Sequence, residues 1–270
     1  MNTLTNIDND IDFIGLFLSD KATTTKISYS GTLKSFMAFV GKPLREMKLE
    51  DVTLWLNRLK LTYKPATIAN KTLVIKSLFS FGLKTGYLTA NPMMLVKTPK
   101  HKENLANRIL DQGEVKRLIG AATNDRDRAI LSLMYGCGLR VSEVIGLTGD
   151  DLKGDKLTVY GKGNKTRTVI VPVAILSMLP GGGGYLFQSK LNKPLSRQSV
   201  FKMVKTCADR AGLGDRISPH FLRHSHASHS LKNGANVRLV QATLGHSSIT
   251  TTEKYLHISP NESSSLFINF

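Results

Sequence analysis

The sequence predicts a mainly α-helical protein with a small β component, divided into two domains. Three observations carry that expectation. The chain has 270 residues, more than a single domain usually holds. Apolar residues recur at helical spacing through most of its length. One central stretch instead sets two β-branched runs on either side of a Gly- and Asn-rich turn, the pattern of a hairpin.

Residues 8 to about 96 read as helices. Ile11, Ile14, Phe17 and Leu18 mark a first stripe, and Ile27, Leu33, Phe36, Met37 and Val40 a second. Leu54, Trp55 and Leu59 make a short third. Pro65, suited to a first helical turn, opens a fourth, with Ile68, Ile75, Leu78 and Phe79 on one face. Short helices persist only by burying a face, so these residues are read as core. The run stops near Gly86, and Asn91-Pro92 marks a turn. Residues 97–108 are polar, rich in Lys and without apolar periodicity, which predicts a basic interdomain linker. The expected domains are therefore 1–96 and 109–270.

The second domain mixes elements. Glu114, Val115, Leu118 and Ile119 begin a helix, and Arg128 to Met134 form another. LTVY, GKGNKT and RTVIVP make the hairpin. Pro180 and the glycines 181–184 break the chain, and a helical series runs from about 196. This half is α+β with helices dominant.

Lys and Arg number 37 against 20 acidic residues, a formal charge of +17. It divides as +5 over 1–96, +3 over 97–108 and +9 over 109–270, so it is spread along the chain. Such an excess favours a polyanionic partner, since neutralising phosphates releases counterions; solubility is the plainer alternative. The two cysteines, Cys137 and Cys207, have no metal or redox spacing, which predicts a reducing compartment and no disulfide framework. The polar, acidic N-terminus does not fit a secretory or transit signal, and no stretch approaches a membrane span of about 18 apolar residues. A cytoplasmic protein without a membrane partner is expected.

Four segments hold candidate chemistry. In GCGLRVSEVIGL, Arg140 and Glu143 share a face if a helix starts there; they make either a surface ion pair or a guanidinium aimed at a ligand. In YGKGNKTR, Lys162 stands between Gly161 and Gly163, either an ordinary hairpin lysine or a proton donor or phosphate holder. In SPHFLRHSHASH, His220 and Arg223 project from one side of a helix, a pairing suited to phosphate chemistry. His224, His226 and His229 crowd the same stretch, but no cysteine or carboxylate accompanies them as a metal set would require. In LVQATLGHSSITTTEKYLHI, Val237, Val240 and Leu244 form a helical stripe capped by Gly245, followed at once by His246. Thr250 and Glu253 have capping-box spacing, predicting a short helix that carries Tyr255. Alone, Tyr255 is one of seven tyrosines.

In this order and spacing the four segments resemble the tyrosine recombinases, also called the phage integrase family. GLRVSE resembles the family's first arginine box, GKGNKTR its hairpin lysine, PHFLRH its H-x-x-R box and LGHSSITTTEKY its His-to-tyrosine segment. The helical first half, with its closing Gly-Tyr-x-x-x-Asn-Pro at 86–92, is similar to the family's SAM-like core-binding domain, which clamps DNA. The resemblance implies a site-specific recombinase that cleaves and rejoins strands through a 3′-phosphotyrosyl intermediate and a four-way junction. It implies that Arg140 and Arg223 grip the scissile phosphate, Tyr255 attacks, His220 is general base, Lys162 is general acid, His246 donates a hydrogen bond and Glu143 supports the site. Further implications are a double-stranded DNA partner, a homotetramer on two duplexes (monomer or weak dimer off DNA), and no cofactor, metal or nucleotide. His226 stands where the family usually keeps an apolar or aromatic residue, and the glycine tract 181–184 replaces a frequent helical connection. The chain enters the core-binding domain almost at once, which the resemblance matches to simple Xer-like recombinases or compact mobile-element integrases. The apolar tail at Leu266, Phe267, Ile268 and Phe270 is expected to dock on a neighbouring protomer, with docking on its own domain the alternative. A type IB topoisomerase, which relaxes supercoils by similar chemistry, is the nearest rival reading.

Overall fold

The computed structural model describes residues 6–99, 105–161, 165–189, 191–246, 248, 250–253 and 255. The chain divides into two compact units, Met1–Glu103 and Asn104–Phe270. Each has its own apolar core.

The first unit is built from α1 (Asp10–Ser19), α2 (Thr23–Val40), α3 (Leu49–Lys60) and α4 (Pro65–Thr85). The boundaries follow local chemistry. Asn9 caps α1 by accepting from the Asp12 N–H at 2.9 Å, and Pro65 opens α4. Gly41 and Gly86 close α2 and α4 in the left-handed conformation that glycine adopts without strain. Aromatic rings fill the core: Phe36 meets Trp55 and Phe79 edge-on, while Phe13 stacks on Tyr87 at 3.9 Å. The Tyr87 hydroxyl donates to Asp10 at 2.7 Å, tying the end of α4 to the start of α1. That contact gives Gly86-Tyr87 a packing role. Three residues expected in this core lie outside it: Ile11 is 82% exposed, Ile27 70% and Leu54 61%. The reason is angular. At about 100° per residue, Ile11 sits opposite Phe13 and Ile27 opposite Phe36, and the large rings take the inward face.

The second unit begins with a 3₁₀ turn, Leu105–Arg108, whose Leu105 packs against Ala227, Val240, Leu244 and Tyr255. The predicted linker stretch thus includes residues that pack on this unit. Helix α5 (Gln112–Gly120) starts at a reciprocal Asp111–Glu114 cap, and α6 (Asp125–Gly136) runs through the core with Ile130, Leu131, Leu133 and Met134 fully buried. A short helix, α7 (Val141–Gly146), leads to an antiparallel sheet of β1 (Leu152–Lys153), β2 (Lys156–Tyr160) and β3 (Thr166–Ile170). Val159 pairs with Arg167 across the hairpin, and the Gly161 N–H donates to the Lys165 carbonyl at 2.7 Å.

Helix α8 (Val173–Leu176) precedes the glycine tract, which turns back on the chain. Gly149 donates to the Gly184 carbonyl at 2.9 Å, and a Cβ on Gly149 would lie 2.3 Å from the Gly182 oxygen. The unit ends with α9 (Arg197–Arg210), α10 (Pro219–Lys232), α11 (Val237–Leu244) and α12 (Thr250–Glu253). Tyr255 was expected on the last helix; it follows it, in a turn. The apolar tail beyond it lies outside the described residues. Both cysteines are buried, and burial pushes the Cys137 thiol up to about 12. No helix of the described residues is long and apolar enough to cross a membrane.

Candidate active site

The site is organised around Glu143, whose side chain is only 3% exposed. Chain reversal at Gly138, left-handed at φ 63°, delivers Arg140 to the N-cap of α7. There the Arg140 N–H donates to Glu143 Oε2 and its guanidinium to Oε1, both at 2.8 Å. Arg167 reaches the same carboxylate from β3 with two parallel bonds of 3.0 and 2.9 Å. Arg223 approaches it from α10 at 3.9 Å. One carboxylate therefore gathers three guanidinium groups, leaving an excess of positive charge. Burial alone would raise the Glu143 carboxyl, but hydrogen bonds and charge from Arg167 and Arg140 outweigh it and hold it below the usual carboxylate range.

The end of α11 completes this frame. Its unpaired terminal carbonyls accept from the arginines: Leu244 from Arg223 at 2.5 Å and from Arg140 at 3.4 Å, and Thr243 from Arg167 at 2.7 Å. Arg223 also donates to the Gly138 carbonyl. The three cations differ in their access to water: the Arg140 side chain is 35% exposed, that of Arg167 13% and that of Arg223 6%. Burial and the charge of Arg140 push Arg223 down to about 9, still cationic at neutral pH.

Two imidazoles stand near this charge. His246 follows Gly245, which caps α11 at φ 62°, and its Nδ1 is 2.9 Å from the hydroxyl of buried Thr252. Burial, then Arg223 and Arg140, push His246 down to about 4, so its ring is neutral at pH 7. His220, in the first turn of α10, lies on the surface; desolvation, then Arg223, Arg140 and Arg108, lower its pKa as well.

Tyr255 is 5% exposed and packs with Ala227, Val240 and Leu244. Burial raises its pKa, with Arg223 opposing. Its hydroxyl lies 2.6 Å from Nδ1 of His224. The structure thus gathers Arg140, Glu143, Arg223 and the end of α11 into one frame, with His246 and Tyr255 within electrostatic reach of Arg223. Lys162, at the hairpin tip, lies outside the described residues. The other histidines of α10 brace α6: His226 donates to the Tyr135 carbonyl at 2.6 Å, and His229 bonds the Tyr135 hydroxyl at 2.9 Å. Among the described residues no group of three or more His, Cys, Asp or Glu is placed to hold a metal.

Sequence reasoning missed two residues here, Arg167 and His224. For Arg167 the signal was strand alternation, since it shares a face with buried Val169. For His224 it was the four-residue spacing from His220 on one helix.

Comparison with known proteins identifies the family and the fold. The phage integrase family model matches residues 108–262. The tyrosine recombinase XerD of Staphylococcus haemolyticus is 34% identical over 224 residues, covering 76% of each chain. The tyrosine recombinase XerC of Pelobacter propionicus is 35% identical over 259 residues, covering 87% of this chain and 85% of its own. Among solved structures, a lambda integrase (75–356) dimer bound to a COC′ core site superposes with a TM-score of 0.79 at 20% identity, covering 94% of this chain and 95% of that one. XerH bound to difH in a pre-cleavage complex gives 0.71 at 20% identity, covering 90% and 77%. The fold is that of these enzymes, and the chain belongs to the phage integrase family, the tyrosine recombinases of site-specific DNA recombination.

Proposed function

We propose that Tyr255 attacks a scissile phosphodiester held by Arg140 and Arg223, forming a 3′-phosphotyrosyl link and releasing a 5′-hydroxyl. The observation that carries this reading is the gathering of three arginines on one carboxylate, with Tyr255 packed against the same helix end. A phosphodiester gains charge on its oxygens in the transition state, and preorganised cations stabilise that charge without reorganising. Glu143 and the carbonyls of α11 hold the guanidinium groups in place beforehand, and the exposed side of Arg140 is the face a phosphate meets. His246, neutral and anchored through Nδ1, has Nε2 left to donate to a phosphate oxygen. In this reading His220 takes the phenolic proton and Lys162 protonates the leaving 5′-oxygen. The link keeps the bond energy, so a partner strand's 5′-hydroxyl can reverse the step, and no metal, nucleotide or other cofactor enters.

A lambda integrase tetramer bound to a Holliday junction superposes with a TM-score of 0.77. By that analogy four protomers act on two duplexes of double-stranded DNA, with the helical first unit as the DNA-clamp domain.

The test begins by selecting a binding site from random duplexes with the protein itself. A nicked duplex carrying that site traps the covalent intermediate. Wild type gives a protein–DNA band on a denaturing gel, and Tyr255→Phe gives none; a band that persists in the variant overturns the assignment.

A further inference from the structure

The histidines of α10 divide by direction. His226 and His229 face α6, where they bond Tyr135. His224 faces the other way. Its Nδ1 is 2.6 Å from the Tyr255 hydroxyl, and the two rings lie 5.9 Å apart, tilted by 40°. The roles given above to His220, Arg223 and His246 leave this contact without a function.

The contact matters because, among the described residues, little else orients that phenol. Helix α12 is four residues long and ends before Tyr255, so no continuing helix sets the ring's direction. The Tyr255 N–H donates to the Thr252 carbonyl at 3.0 Å, which fixes backbone rather than side chain. The apolar contacts to Ala227, Val240 and Leu244 bury the ring but do not choose where the hydroxyl points. A buried hydroxyl left without a partner is costly, so the available partner selects the rotamer. That partner sits on α10, immediately after Arg223, whose guanidinium is fixed by the Gly138 and Leu244 carbonyls. The nucleophile and the phosphate-gripping arginine are thereby referenced to adjacent residues of one helix.

We propose that His224 is a positioning residue for DNA cleavage: its Nδ1 holds the Tyr255 hydroxyl and sets the nucleophile beside the arginine frame. This rests on Tyr255 being the nucleophile, and the test separates the two ideas. Single-turnover formation of the covalent band on the nicked, selected duplex is measured together with DNA affinity by gel shift. His224→Leu keeps the packing volume and removes the bond; it slows cleavage by about 10–100-fold, as small misplacements of reacting groups do, while affinity stays within about twofold. His224→Asn places an amide near the lost nitrogen and recovers cleavage to within about fivefold of wild type, which a purely steric role would not allow.

A double-mutant cycle on thermal midpoints checks the contact apart from activity. With the bond present, His224→Leu and Tyr255→Phe together cost less than the sum of the two single changes. Wild-type cleavage by His224→Leu overturns the proposal, as do additive thermal effects or an Asn variant as slow as the Leu variant while folded. A covalent band from Tyr255→Phe would instead remove the nucleophile assignment itself.

Discussion

His226, on α10, packs its ring against the chain reversal at Gly138 and donates to the Tyr135 carbonyl, at a position where related sequences are expected to carry an apolar or aromatic side chain. Burial pushes its pKa down to about 4 from an ordinary 6.5. The unfolded chain therefore takes up a proton before the folded one does as the pH falls. Stability is full above pH 6.5 and declines as the pH drops toward 4, by on the order of 3 kcal/mol at most from this residue. His246, lowered for the same reason, adds to the loss over the same window. Replacing His226 with Phe leaves the Tyr135 carbonyl short of a donor, at a cost of about 1–3 kcal/mol at neutral pH. It also flattens the acid dependence between pH 6.5 and 4. Urea unfolding midpoints for both proteins across that range check the prediction; parallel curves would refute it.

At the scale of elements, the start of α7, the middle of α10 and the end of α11 come together at Gly138 and Leu244. A Cβ at Gly138 would lie 2.7 Å from the Leu244 side chain and 2.8 Å from the His226 ring, on a backbone already at φ 63°. Gly138→Ala is expected to destabilise the second unit by roughly 2–4 kcal/mol, combining left-handed strain with overpacking. It should also slow covalent-complex formation, because Arg223 and Arg140 both anchor on this junction. Gly146, at the end of α7, has open space around it, so Gly146→Ala is neutral or stabilising by up to about 1 kcal/mol. Denaturant titration of the two variants side by side separates them, and equal effects would contradict the role of the junction. The helices and hairpin meeting here were legible in the sequence, because apolar periodicity and turn residues are local signals. The junction was not, since Gly138 reads locally as a loose spot before Arg140 and only packing reveals what stands behind it.

At the scale of the whole molecule, each unit carries a main core of its own, the first rich in aromatic rings and the second built around α6. Fragments 1–103 and 104–270 are accordingly expected to fold alone, each with a single cooperative thermal transition by circular dichroism. Noncooperative melting of either fragment would show that its core is insufficient. The positive charge is divided between them, so each should bind DNA more weakly than the full chain and with a shallower dependence of affinity on salt.

The sequence by itself determined the helical class, the two-part organisation and the order of the four site segments. Each depends on residues near one another in the chain, through periodicity, caps and turn chemistry. Six residue types in a fixed order matched the family's pattern without any knowledge of how they meet. Tertiary structure alone decided which apolar face turns inward, as the exposure of Ile11, Ile27 and Leu54 shows. It also decided that Glu143 binds Arg167 from a strand 24 residues away, and that the Tyr255 hydroxyl meets His224 from a helix 31 residues earlier. Those pairings join distant segments through packing and buried charge, and no local pattern of residues specifies which partner a buried polar group will find.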